Sequence, residues 1–263
     1  MANNMLNYRL EGSGPPLLLL HGWGDTLNIW NDLAPLLSPH FQLVMVELPG
    51  FGQSPLPGDG QSYFQACVAP LEQIRVLLGF QDWAVLSYSL GTRIGEAYLQ
   101  RYPSSINRVI FLCPLYTGRL KAFMVRSLLG VDRLWPNFGD WMISGWRLSF
   151  LIRILAFNGH QHPYISDWHR EITSQSPQVL KMTLREASRV GSAPFNLPPG
   201  LTIQYIWGKN DRIVPIPSRP RPADSFIRAD HSAPAMAAPQ VAEIVVHFLS
   251  GAVPASSTPT PTQ

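Results

Sequence analysis

At 263 residues, 46% of them hydrophobic, the chain is long enough to bury a large core, and its size fits one domain of α/β type plus an insertion. Two cysteines, Cys67 and Cys113, are too few for a disulfide framework and lack metal-ligand spacing; they read as packed thiols in a reducing compartment. The net charge is only +3, but between Pro114 and Pro194 ten Lys and Arg stand against five Asp and Glu, so the basic excess is confined to one segment.

Met1 to Gly14 is polar and lacks the apolar stretch of a signal peptide, and the Leu17–Leu20 run is too short to span a membrane, so a cytoplasmic protein is expected. Tyr8 to Leu10 reads as a short edge strand. After the Gly12–Pro16 turn, Leu17-Leu18-Leu19-Leu20 is a continuous apolar run, the pattern of a strand buried on both faces of a parallel sheet. His21-Gly22-Trp23-Gly24 follows as a glycine-rich loop leading to a helix over 29–37. Gln42 to Glu47 reads as a second buried strand, ending in the turn-dense Leu48-Pro49-Gly50-Phe51-Gly52-Gln53-Ser54. The spacing of Phe64, Val68, Leu71, Ile74 and Leu78 predicts a helix over 64–78, which Pro70 should bend or start.

From Trp83 an apolar strand runs into the turn Ser87-Tyr88-Ser89-Leu90-Gly91 and continues as a helical pattern from Thr92 to Leu99. A tight strand-to-helix turn of this kind holds its central residue in a strained conformation, so its neighbours must be small. Ser89 would stand exposed at the apex. The usual pattern is Gly-x-Ser-x-Gly, and Ser87 occupies the first glycine's place, so an ordinary turn serine is the competing explanation. Arg108 to Leu112 reads as a further strand. The alternation then stops from Pro114 to Pro194 and resumes with strands at 201–207 and 225–228 and a closing helix at 241–249, the order expected of a doubly wound α/β sheet interrupted by one insertion.

A serine hydroxyl is a weak nucleophile until a base takes its proton and a carboxylate orients that base. Asp211, in Gly208-Lys209-Asn210-Asp211, sits just past the strand ending at Trp207, although a turn-capping aspartate would look the same. Of seven histidines, His231 alone lies in a loop between the last strand and the last helix. Two backbone N–H groups should stabilise an oxyanion, one from Leu90 just past the serine and one from Trp23 just past His21-Gly22.

Taken together, the order Ser89, Asp211, His231, the His21-Gly22 loop, the Pro49-Gly50-Phe51-Gly52 turn and the Gly208-x-x-Asp211-x-x-x-Pro215 run resemble the α/β-hydrolase superfamily over nearly the whole chain. The resemblance implies an α/β-hydrolase core over 1–113 and 195–251, a helical cap over 114–194, and a Ser-Asp-His hydrolase with nucleophile, acid and base at Ser89, Asp211 and His231. His21-Gly22-Trp23-Gly24 and Leu48-Pro49-Gly50-Phe51-Gly52 are also similar to the carboxylesterases that cleave pimeloyl-carrier-protein methyl ester. The departures are Ser87 for glycine and Thr92 where a second glycine is common. Haloalkane dehalogenases of this fold use aspartate at the elbow, which Ser89 argues against.

The cap should decide the substrate. Arg119, Lys121, Arg126, Arg133, Arg147 and Arg153 alternate with Phe123, Leu128, Trp135, Trp141, Trp146 and Phe150, which fits either a packed cap with a solvated basic face or an acyl pocket roofed by a basic surface. The expected pocket is lined by His21, Gly22, Tyr88, Trp135, Trp141 and Trp146. The expected substrate is a small ester with an apolar acyl group, with an acidic carrier protein or a lipid surface at the basic cap. Nucleic acid fits poorly, because the basic residues accompany a buried-looking aromatic set. No metal or organic cofactor is called for, since no glycine-rich loop has a phosphate-binding or dinucleotide pattern. A thioesterase, a carbon-carbon bond hydrolase on the same triad, and a ligand-binding receptor of hydrolase fold are the alternatives. Residues 252–263, rich in Pro, Ser and Thr, are expected to form a disordered tail.

Overall fold

The computed structural model describes residues 5–58, 61–115, 127, 130, 131, 135, 141, 163–190 and 194–251. The expected tail, Trp146 and most of the expected cap's first half lie outside the described residues.

Seven strands form one sheet in the order β1-β3-β2-β4-β5-β6-β7: β1 Tyr8–Glu11, β2 Pro16–Leu20, β3 Gln42–Val46, β4 Trp83–Tyr88, β5 Ile106–Leu112, β6 Ile203–Gly208 and β7 Ser225–Ile227. Only the edge strand β1 is antiparallel, pairing Tyr8 with Val46; the others run parallel, with Leu18 beside both Val44 and Val85. Leucines 17–20 and residues 43–46 are wholly buried, as a parallel strand covered on both faces requires.

Among the described residues, the helices include α1 Ala34–Leu37, α2 Tyr63–Leu77, α3 Gly91–Arg101, α4 Pro163–Ser174, α5 Pro177–Val190, α6 Ala233–Met236 and α7 Ala238–Ser250. The single helix expected over 29–37 is instead two short pieces. Thr26 accepts from the Asn28 N–H and opens a 3-10 turn at Leu27–Trp30, and Pro35 starts a separate turn of α1. Pro70 does not start α2, which is capped by Ser62 and begins at Tyr63.

Between β5 and β6, residues 163–190 include α4 and α5. Tyr164, Trp168 and Ile172, one turn apart on α4, are buried together, and with Val179 and Leu180 of α5 they join the core cluster. These helices meet the loops at the C-terminal ends of β2 and β3. That is the edge of an open α/β sheet where ligands bind.

Candidate active site

The site is built from loops that leave the C-terminal ends of four parallel strands. After β4 the chain turns sharply through Ser89, whose φ of +51° is in the left-handed region that a side chain adopts at a cost. Two contacts hold it there: the Ser89 N–H donates to Leu112 O at 3.1 Å, and Thr92 Oγ1 donates to Ser89 O at 2.5 Å. Thr92 Oγ1 also accepts from the Leu115 N–H at 2.9 Å, so the threonine that departs from the common glycine is a brace between the elbow and the chain after β5. Gly91 cannot be replaced so easily, because a Cβ there would lie 2.5 Å from Leu20 O.

Ser87 fits its unusual place through a gap elsewhere. Its Oγ lies 2.5 Å from where a Cβ on Gly95 would be, so the glycine one turn into α3 leaves room for the hydroxyl. That hydroxyl is buried and has no hydrogen-bond partner among the described residues.

The three candidate side chains form one hydrogen-bonded line. Ser89 Oγ is 2.8 Å from His231 Nε2, and His231 Nδ1 is 2.7 Å from Asp211 Oδ2. The other oxygen, Asp211 Oδ1, accepts from the N–H groups of Ile213 and Val214, both at 2.8 Å. Burial alone would raise the Asp211 carboxyl, but the charge and hydrogen bond of His231 and these two N–H groups hold it below its ordinary value. Burial likewise works to lower His231. The charge and hydrogen bond of Asp211, with smaller contributions from Asp25 and Asp230, outweigh it and leave the imidazole above its ordinary value. An ionised Asp211 accepting from Nδ1–H leaves the Nε2 lone pair facing Ser89.

Tyr88, expected in the pocket, supports this line from behind. Its hydroxyl donates to His231 O, and its ring lies 5.4 Å from the imidazole. His21, also expected there, is wholly buried with both nitrogens engaged: Nδ1–H donates to Gly22 O at 2.8 Å and Nε2 accepts from the Leu48 N–H at 2.9 Å. Burial pushes its pKa down to about 4, so it stays neutral and ties the β2 loop to the β3 loop. Gly22 is tightly packed, since a Cβ would sit 2.6 Å from Asp25 Oδ2 and 3.1 Å from Ser89 Cβ. Leu90 follows Ser89 directly and Trp23 follows Gly22, and no acceptor for the Trp23 or Leu90 N–H groups occurs among the described residues.

Trp135 and Trp141, expected to line the pocket, are 68% and 50% exposed, and the Trp135 N–H donates to Val131 O. Trp146 lies outside the described residues. Residues of α4 and α5 cover the glycine loops. Ile172 Cδ1 lies 2.6 Å from where a Cβ on Gly24 would project, and Trp23 Nε1 donates to Leu180 O at 3.2 Å. Thr26 Oγ1 and Asn28 Nδ2 donate to the Glu171 carboxylate at 2.8 and 2.5 Å. Asp25, directly after the glycine loop, accepts the Tyr164 hydroxyl at 2.6 Å. The sequence carried a signal for these partners in the 164, 168, 172 spacing and in the acid adjoining His21-Gly22-Trp23-Gly24.

Cys113, Asp211 and His231 place one donor atom each within 4.8 Å of one another, the one such grouping among the described residues. Two of its donors, Asp211 Oδ2 and His231 Nδ1, are already bonded to each other, and burial holds the Cys113 thiol protonated well beyond its ordinary value. The donor set is therefore that of a hydrogen-bonded relay.

Residues 15–232 match the family model described as the alpha/beta hydrolase fold. The chain belongs to this family. As an α/β hydrolase it is 26% identical over 261 residues to the pimeloyl-acyl-carrier protein methyl ester esterase of Aeromonas hydrophila subsp. hydrophila, an alignment covering 90% of this chain and 96% of that protein. The esterase of the same description from Aeromonas salmonicida is 38% identical over 134 residues, covering 51% of this chain and 47% of its own length. A fluoroacetate dehalogenase from Burkholderia sp is 33% identical over 105 residues, covering 38% of this chain and 34% of its own length. Among solved structures, a thermophilic esterase from Thermogutta terrifontis superposes with a TM-score of 0.73 at 18% identity, covering 94% of this chain and 93% of that one. A point mutant of an epoxide hydrolase from Bacillus megaterium does so with a TM-score of 0.73 at 20% identity, covering 93% of this chain and 96% of that one. At these identities the two structures share the fold. The chain is a hydrolase of the α/β family, and methyl ester esterases are among its relatives.

Proposed function

We propose that this α/β hydrolase cleaves a carboxylic ester through a Ser-His-Asp triad and an acyl-enzyme. The observation that carries the reading is the line Ser89 Oγ, His231 Nε2, His231 Nδ1, Asp211 Oδ2, mounted on an elbow with φ of +51°. Ser89 Oγ attacks the ester carbonyl as His231 Nε2 takes its proton. Asp211 holds the Nδ1–H and stabilises the imidazolium, while the Trp23 and Leu90 N–H groups receive the oxyanion. His231 returns the proton to the leaving alkoxide, and the same base then activates water to release the acid.

Chemistry separates this reading from those of the epoxide hydrolase and dehalogenase relatives. Displacement at a saturated carbon by a serine oxygen would leave an ether, which has no carbonyl for water to attack. A serine at the elbow suits acyl substrates, among which thioesters and carbon-carbon bonds next to a ketone use the same groups.

We take residues 1–113 and 195–251 as the catalytic core and 114–194 as a cap. The cap's basic excess, which includes Lys181, Arg185 and Arg189 at four-residue spacing on α5, together with the carrier-protein substrate named for the Aeromonas esterases, supports an apolar acyl ester presented on an acidic carrier or at a lipid surface. The two free, buried cysteines suit a cytoplasmic setting, and no helix among the described residues is long and apolar enough to cross a membrane.

The test is hydrolysis of a chain-length series of p-nitrophenyl esters by the parent and by Ser89→Ala, with folding checked by circular dichroism. The parent should turn over with a preferred acyl length, and Ser89→Ala should lose about 10⁴-fold or more of kcat. A folded parent inert on every ester overturns the ester reading, and thioesters and diketones would then be assayed.

A further inference from the structure

The triad does not use Asp25, a further buried carboxyl near the base. Asp25 is 4% exposed, in the loop after β2, and it is held from three sides. Its Oδ1 accepts the Tyr164 hydroxyl of α4 at 2.6 Å, and its Oδ2 packs against Gly22. On the third side is the nucleophile: a Cβ on Gly22 would lie 2.6 Å from Asp25 Oδ2 and 3.1 Å from Ser89 Cβ. Little more than the methyl group missing from Gly22 separates the carboxyl from the serine.

The titratable groups facing Asp25 are Tyr164 and Glu171 from α4, Tyr88 from the end of β4 and His231 from the loop after β7. Of these only His231 can be positive. Burial, reinforced by Glu171, opposes the charged form of Asp25, and the Tyr164 hydrogen bond and His231 favour it; the balance brings the carboxyl up to about 7. Asp25 in turn pulls His231 upward. Each group thus favours the charged form of the other, next to the nucleophile.

We propose that Asp25 is a positioning residue for the active site: its carboxylate fixes the Gly22–Trp23 turn that presents an oxyanion donor, its charge supports the His231 imidazolium formed when Ser89 gives up its proton, and Tyr164 makes both effects depend on α4 being seated. This inference rests on the triad reading above. Its physical content is that the Asp25 charge is costly while His231 is neutral and is offset when His231 becomes positive, the condition that separates transition state from ground state.

The experiment is an NMR titration of the His231 ring protons in the parent, Asp25→Asn and Tyr164→Phe, together with the pH dependence of Ser89 labelling by a fluorophosphonate. Asp25→Asn should lower the His231 pKa by about half a unit or more, move the acid limb of the labelling rate down by the same amount, and reduce the plateau rate by about tenfold. Tyr164→Phe, which keeps the carboxyl but removes its donor, should move both limbs in the same direction by less. If Asp25→Asn does not fold, Tyr164→Phe alone decides. A His231 titration and labelling limb unchanged in the folded variants overturn the proposal and leave Asp25 a buried structural carboxyl. The titration needs no ester, so it stands apart from the function test. An active esterase with an unmoved His231 rejects only the role of Asp25, and a chain inert on esters still shows whether the pair is coupled.

Discussion

The loop after β6 and the loop after β2 each bury one carboxyl beside His231, and they treat it in opposite ways. Asp211 receives two backbone N–H groups on one oxygen and the imidazole on the other, and it stays ionised below its ordinary value. Asp25 receives a phenol, faces Glu171, and is carried up to about 7. The two are similarly buried, so burial does not set the difference. It lies in how many donors replace the lost water and in whether the nearest charge is opposite or like. One loop thus supplies a permanent anion and the other an anion that depends on its surroundings.

The harshest way to break the comparison is to remove the permanent anion. Asp211→Asn keeps the shape but places an amide against Nδ1, so the ring is driven to the tautomer whose Nε2 carries the proton and cannot accept from Ser89. A loss of about 10³–10⁴-fold in kcat is expected, with KM little changed. A loss under about tenfold would show that His231 is oriented by something other than Asp211.

The conditional anion should leave its mark on stability as well. An unfolded Asp25 loses its proton near the ordinary 3.8, while the folded one keeps it to about 7. Between these values the native state binds more protons than the unfolded state, so Asp25 makes stability fall as pH rises. From about pH 4.5 to about pH 6 His231, raised above 6.5 in the fold, is largely protonated in both states and adds little slope. Urea unfolding across that window should show the parent losing roughly 2 kcal/mol relative to Asp25→Asn. Parallel curves for the two proteins would mean that Asp25 ionises normally in the fold.

Asp211 and Asp25 also differ in how visible they were in the sequence. Asp211 and His231 could be found because each lies just past an apolar strand run, and strand ends locate the catalytic edge of a parallel sheet whatever the side chains do there. The sheet itself was legible for the same reason, from Leu17–Leu20, the 42–47 run and the 108–112 run. Asp25 was passed over because its partner, Tyr164, is 139 residues away on a helix with no local link to the loop. Burial in the cap was also hard to read from residue type: tryptophans suggest burial, yet Trp135 and Trp141 are exposed, while Tyr164, Trp168 and Ile172 are buried one turn apart on α4. The helix over 29–37 failed on local grounds, since Thr26 as a cap and Pro35 as a helix start divide it.

Ser87 extends the comparison to a neutral group with no hydrogen-bond partner among the described residues. Its Oγ is buried and occupies the notch left by Gly95. The elbow thus carries a serine in a glycine's place only because α3 carries a glycine one turn on. Gly95→Ala would bring a Cβ to 2.5 Å from that hydroxyl, and since β4 and α3 are both buried there, neither side can yield cheaply. Overpacking of this kind costs about 1–3 kcal/mol. Ser87→Gly alone removes an unsatisfied hydroxyl but adds backbone freedom to a strand, so its effect should be within about 1 kcal/mol of neutral. The double variant Ser87→Gly with Gly95→Ala should then recover most of what Gly95→Ala loses, a coupling of about 1 kcal/mol or more in urea unfolding. Additive single effects would show that the two positions do not share one space, and the serine at the elbow would need another explanation.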